Sequence, residues 1–81
     1  MEDAAKYKIL LGEEAKLLLQ IQTCQEVIFT LKSMVRQRGK SMHMLTMEDI
    51  LTLIHQMEMD FRVELLHVNL EQARQDSKYQ S

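Results

Sequence analysis

The sequence has 81 residues, of which 46% are apolar and 27% charged, a composition typical of one small folded domain rather than a disordered chain. It contains no Pro, 2 Gly, 2 Tyr and 2 Phe, which argues against β-rich folds. The net charge of −2 argues against a general nucleic-acid or acidic-lipid surface, and no apolar run exceeds three residues, so we expect no membrane span.

The first predicted element surrounds Gly12. Glycine can end a helix, in which case residues 3–11 form a short helix that starts at Asp3. Alternatively the helix continues through Gly12, at a cost of about 1 kcal/mol. We favour a break, with the first long helix over 13–38.

That long helix carries one apolar stripe whose members alternate four and three residues apart: Leu17, Ile21, Cys24, Ile28, Leu31 and Val35. This spacing is a heptad repeat and predicts packing against a second helix. Leu18, Phe29, Val27 and Met34 widen the stripe. Arg36, Arg38 and Lys40 surround Gly39, a pattern typical of a helix C-terminus, and we interpret these cations as a solvated cap.

A turn over 39–45 leads to a second predicted helix over 46–76, with Thr46 as its N-cap. Its stripe consists of Met47, Ile50, Ile54, Met57, Phe61, Leu65 and Val68, and an additional four-residue step after Phe61 interrupts the heptad. Two stripes joined by a short turn predict an all-α fold, an antiparallel helical hairpin of two long amphipathic helices in one domain over 1–81.

A second apolar set lies on the back of the second helix, about 160° from the first at 100° per residue. Its members, Met59, Val63, Leu66, Leu70 and Ala73, are candidate partner-binding residues. The alternative is that Tyr7, Leu10 and Leu11 fold back over this surface and complete a three-helix core. Met42 and Met44 lie in the connection, where a core role is harder to argue, and are further candidate contacts.

Residues for catalysis or metal binding are sparse. Cys24 is the one cysteine, so neither an internal disulfide nor a cysteine zinc site is expected, and a reducing compartment is favoured. His43, His55 and His67 recur every twelve residues, which rotates each by 120° from the last and prevents a shared metal. Without a phosphate loop or an activated nucleophile, we expect a non-catalytic protein with no cofactor.

The run Glu13-Glu14-Ala15-Lys16, followed by Leu17–Leu19 and Gln20-Ile21, opens a long amphipathic helix, and a Gly-containing break and a second helix follow. Over residues 12–70 the chain resembles the small helical co-chaperones of the type III secretion needle subunit. That resemblance implies a cytoplasmic protein that pairs with a helical-repeat co-chaperone and keeps the needle subunit soluble and unpolymerised. The alternative is a structural or adaptor subunit that self-associates as a four-helix bundle or longer coiled coil.

Overall fold

The computed structural model describes the backbone of residues 2–80 and the side chains of residues 4–78. Helix α1 (Glu2–Arg38) and helix α2 (Met44–Gln80) are joined by a 3-10 turn at Gly39–Ser41. The helices run antiparallel and pack along their length in a rod of 61 × 16 × 14 Å. Since the described residues form no strand, the predicted all-α helical hairpin is confirmed.

The face of α1 that packs against α2 follows an unbroken heptad. Its buried and half-buried members are Tyr7, Leu10, Glu14, Leu17, Ile21, Cys24, Ile28, Leu31 and Val35. All six residues of the predicted stripe belong to it. The observed heptad also begins ten residues before Leu17, at Tyr7, and it continues through Leu10 and Glu14 with the same alternation of three and four residues. Leu18, Phe29 and Val27 are exposed beside it, and Met34 is half-buried.

The predicted break at Gly12 is wrong, because α1 passes through it without interruption. The backbone of Gly12 does not adopt a positive φ, so it makes no left-handed cap. The physical reason is the heptad, since Leu10 and Leu17 on either side of Gly12 both pack against α2 around Val68. A helix break between them would rotate one of the two leucines away from that contact, and this loss exceeds the modest helix penalty of one glycine.

Helix α2 begins two residues before the predicted cap, at Met44, and its N-cap is His43 rather than Thr46. The Nδ1 of His43 accepts a hydrogen bond from the backbone N–H of Thr46 at 3.3 Å and lies 2.8 Å from the Thr46 hydroxyl oxygen. The backbone N–H of Met47 donates to the carbonyl of His43 at 3.1 Å. Imidazole therefore does here what a Ser, Thr or Asp oxygen does in the sequence rules for N-caps.

The predicted interruption in the α2 stripe is also wrong. Ile50 and Met57 are 39% and 51% exposed, and Leu51 and Glu58 take their places against α1. The inward face of α2 is therefore a second unbroken heptad: Met47, Leu51, Ile54, Glu58, Phe61, Leu65, Val68, Gln72 and Gln75. Two unbroken heptads stay in register over the whole rod, whereas a break on one helix alone would carry its stripe away from the other.

Polar residues occupy part of this inward face. Glu58 is only 7% exposed and pairs with Arg62 at 2.8 Å. At the open end of the hairpin, Gln75 is 1% exposed and donates to Glu71 at 3.4 Å. Partial burial on its own raises the pKa of the Glu71 carboxyl, but the hydrogen bond from Gln75 and the charges of Arg74 and Lys6 outweigh it and lower the pKa below its usual value.

Candidate protein-binding surface

The apolar back of α2 is open to solvent in the hairpin. Val63 is 53% exposed, Leu66 55% and Leu70 55%, with Met59 and Ala73 exposed on the same face. We call these five residues the outer stripe. Each full turn of α2 between 59 and 73 contributes one member, so the stripe is about 20 Å long. A row of large apolar side chains of this length on a small protein is typical of an interface.

The N-terminal segment does not cover the outer stripe. Leu10 is buried against Val68 on the inward face of α2, Tyr7 is half-buried there, and Leu11 is exposed. The alternative that these residues fold back and complete a three-helix core is therefore wrong. The heptad of α1 begins at Tyr7, and this places the segment in the two-helix interface instead of behind α2.

The hairpin has two lateral sides, which its contacts identify. On one side, Lys32 of α1 and Thr52 and His55 of α2 line a shallow groove. On the other side, Lys6 forms an ion pair with Glu71, with the Nζ to Oε1 distance 3.6 Å. Residues seven apart share a side of a helix in a heptad. The first side, here the Lys32 side, therefore also includes two exposed leucines of α1 and part of the outer stripe: Leu11, Leu18, Met59, Leu66 and Ala73.

Arg62 is the charged residue that lies between these two apolar rows. Its position, seven after His55, places it on the Lys32 side, level with Leu18. Its guanidinium is held by Glu58, with the Nη2 to Oε2 distance 2.8 Å and the Nε to Oε2 distance 2.9 Å. Both N–H groups donate to the same carboxylate oxygen, and this ion pair offsets the arginine charge. The Lys32 side of the open half therefore presents a surface that is apolar and nearly free of net charge.

Met42 and Met44 do not join the outer stripe. Met42 is half-buried after the 3-10 turn, and Met44 is exposed at the first position of α2. Fifteen residues of helix separate Met44 from Met59, about 22 Å. Met44 instead lines an open groove at the turn together with Arg36, Arg38 and Lys40. The structure thus divides the predicted contact residues into two separate places, one at the turn and one along the outer face.

Over residues 4–78, groups for metal binding do not converge. Among the described side chains, no three His, Cys, Asp or Glu residues come together to hold an ion. His43, His55 and His67 are spaced about 18 Å apart along α2. Cys24 is buried in the two-helix interface, where a thiol acts as a small apolar side chain.

Fold and surface together define a class, an antiparallel helical hairpin with an uncovered apolar face. Comparison with protein-family models, with curated proteins and with solved structures finds no match to this chain. Neither α1 nor α2, over the residues described, holds a stretch that is long and apolar enough to cross a membrane.

Proposed function

We propose that this chain is a non-catalytic protein-binding module whose outer stripe packs against a helix of a partner protein. The observation that carries the proposal is the solvent exposure of Val63, Leu66 and Leu70 in a row along α2. Apolar side chains at this spacing match the contact pattern of a helix that lies in a groove or on another helix. Leu11 and Leu18 of α1 widen this surface, on the far side of the Arg62–Glu58 ion pair from the outer stripe.

Burial of the outer stripe supplies affinity at about 25 cal/mol per Å² removed from water, concentrated in the largest side chains at the centre. Leu66 lies at that centre, with two members of the stripe on either side. Because the hairpin is held together by the opposite face of α2, partner binding requires no rearrangement of the two helices. The module therefore binds as a preformed surface, without the cost of ordering a segment.

The resemblance of residues 12–70 to needle-subunit co-chaperones supports a finer form of the proposal. In that form, the partner on the outer stripe is a helical-repeat co-chaperone in the cytoplasm, and the pair keeps a needle subunit soluble and unpolymerised. The Gly-containing break of that likeness corresponds to the 3-10 turn at Gly39–Ser41, which lies between α1 and α2. The outer stripe supports a helical partner independently of that likeness.

The test places a photo-crosslinking amino acid at position 66 of the full chain in its native host and identifies the protein that it captures. Binding of the purified partner to the wild type and to Leu66→Asp is then measured by calorimetry. We expect Leu66→Asp to abolish binding, since it puts a charge into a desolvated patch, and to leave helicity and thermal stability nearly unchanged.

Ile9→Asp is the matched control, because Ile9 is 62% exposed on α1 outside the outer stripe. It should bind the partner as the wild type does. Unfolding of the free Leu66→Asp chain would instead place the stripe in an internal core. Full binding by Leu66→Asp would move the interface elsewhere, to Met42, Met44 and the turn.

A further inference from the structure

A second apolar surface lies on the Lys6 side of the hairpin, in the half next to the turn. Gln20 and Glu64 line a shallow groove on this side. Residues at seven-residue intervals from them are Val27 and Met34 on α1 and Met57 and Ile50 on α2. With the half-buried Leu31 and Ile54 between these rows, they form a surface that we call the turn groove: Val27, Leu31, Met34, Ile50, Ile54 and Met57.

The turn groove explains why the sequence predicts the wrong stripe for α2. In the turn half, α2 carries two apolar rows that share Ile54. Met47, Leu51 and Ile54 face α1, whereas Ile50 and Met57 lie beside them and are exposed. A helix with apolar residues at both sets of positions has the wide apolar face of a helix in a bundle, rather than the narrow one of a two-helix pair. Val27, Leu31 and Met34 add the same second row to α1.

At the middle of the turn groove, Glu26 borders Val27 and Leu31 and accepts a hydrogen bond from Gln22 at 3.1 Å. Apart from Glu26, the described residues of this middle part carry no charge. Its flanking positions on α1 are Thr23, Thr30 and Gln37, and on α2 they are Thr46 and Leu53. Centres of protein interfaces are depleted of charged residues in this way. A surface with one carboxylate at its middle and apolar side chains around it suits a partner that is itself mainly apolar, as a copy of the turn groove is.

The two ends of the turn groove carry opposite charges. Arg38 and Lys40 lie at the turn end. Asp60, Glu64 and Glu13 lie at the other end, where Lys16 offsets one of the three acids. Arg38 is 22 residues along α1 from Lys16, about 33 Å, with Val27 at the midpoint. A two-fold axis through Val27, perpendicular to the rod, therefore brings the basic end of one copy onto the acidic end of the other.

The hairpin also exposes the area that such a dimer needs. Its accessible surface is 6456 Å², against about 5,100 Å² for a compact chain of 9.6 kDa. Its radius of gyration is 18.2 Å, against about 12 Å for a compact 81-residue domain. The excess over the whole rod, about 1,400 Å², exceeds the roughly 800 Å² per partner that a standard stable interface buries.

We propose that the turn groove binds a second copy of this chain, so that the turn halves of two antiparallel hairpins form a four-helix bundle. The outer stripe lies on the other side of α2 and stays exposed in this dimer. The inference is therefore independent of the proposed partner protein, and the two surfaces can be tested separately.

The first test is sedimentation velocity of the purified full chain across a concentration series. We expect the wild type to form a dimer, and Met57→Lys to raise the dimer Kd by about a hundredfold or more, because the axis introduces the buried charge twice. Met59→Lys is the matched control, two residues away and exposed on the outer stripe, and it should dimerise as the wild type does. Circular dichroism checks that Met57→Lys keeps its helices.

The second test reverses the charges at the ends and involves exposed residues that the fold does not need. Arg38→Glu and Glu64→Arg should each raise the dimer Kd by about tenfold, and the double variant should restore it towards the wild-type value. Arg36→Glu, on the Lys32 side of the same helix end, should leave it unchanged. A wild-type monomer at about 100 μM would overturn the proposal. A dimer that survives Met57→Lys and Arg38→Glu but dissociates in Leu66→Asp would overturn it as well, by placing self-association on the outer stripe.

Discussion

Glu58 is a carboxylate in the middle of an apolar interface, and its replacement by leucine should stabilise the hairpin. It lies between Ile54 and Phe61 on the inward face of α2 and is only 7% exposed. The Lys6–Glu71 bridge at one end and the turn at the other fix which residues of α1 and α2 lie opposite each other. Glu58 lies level with Ile21 and Cys24, which are both buried. Every other position of this central layer is apolar, so a leucine in place of the glutamate meets apolar neighbours.

The expected magnitude follows from two opposing contributions. Burial of a leucine side chain at this position stabilises by about 1.5–3 kcal/mol. Loss of the ion pair costs only about 0.2–1 kcal/mol, because Arg62 is 45% exposed in its side chain and returns to water when Glu58 is removed. The net gain is about 1–2 kcal/mol. For a domain of this size it corresponds to a rise in Tm of roughly 4 to 16 °C.

The assay is thermal unfolding followed by circular dichroism at 222 nm, with all variants at one protein concentration because association shifts Tm. Glu26→Leu is the matched control, since Glu26 is exposed on α1 and accepts one hydrogen bond from Gln22 at 3.1 Å. Its Tm should change little. An unchanged or lowered Tm in Glu58→Leu would refute the reasoning and show that the buried carboxylate is a net stabiliser of this helix pairing.

Two further predictions concern α1. Gly12→Ala should stabilise the hairpin by about 0.5–1 kcal/mol, because Gly12 is interior to a helix and a Cβ there meets no atom within 4 Å. Gly39→Ala, outside α1, is the control. A lower Tm for Gly12→Ala would indicate that the helix breaks at residue 12. Cys24, buried against α2, should react slowly with a thiol reagent in the folded protein and quickly in denaturant; equal rates in the two conditions would contradict its place in the interface.

The sequence alone determines the hairpin and most of its inward face. The alternation of four and three residues from Leu17 to Val35 predicts the α1 face correctly, because it is unbroken over six residues, whereas the second row on α1 has only Val27, Leu31 and Met34. The outer stripe is likewise predicted to lie away from α1, and Val63, Leu66 and Leu70 are exposed as expected. Such patterns succeed because the angle between two residues of one helix depends only on their spacing.

What only the tertiary structure decided is which of two rows of α2 faces α1, and whether α1 continues through Gly12. Leu51 and Glu58 displace Ile50 and Met57 because α1 presents an unbroken heptad and α2 must match it, even at the cost of a buried carboxylate. The continuity at Gly12 likewise depends on Val68, 56 residues away in the chain, against which Leu10 and Leu17 pack. Local spacing and propensity contain no information about that opposite helix, so these choices are made when the two helices meet.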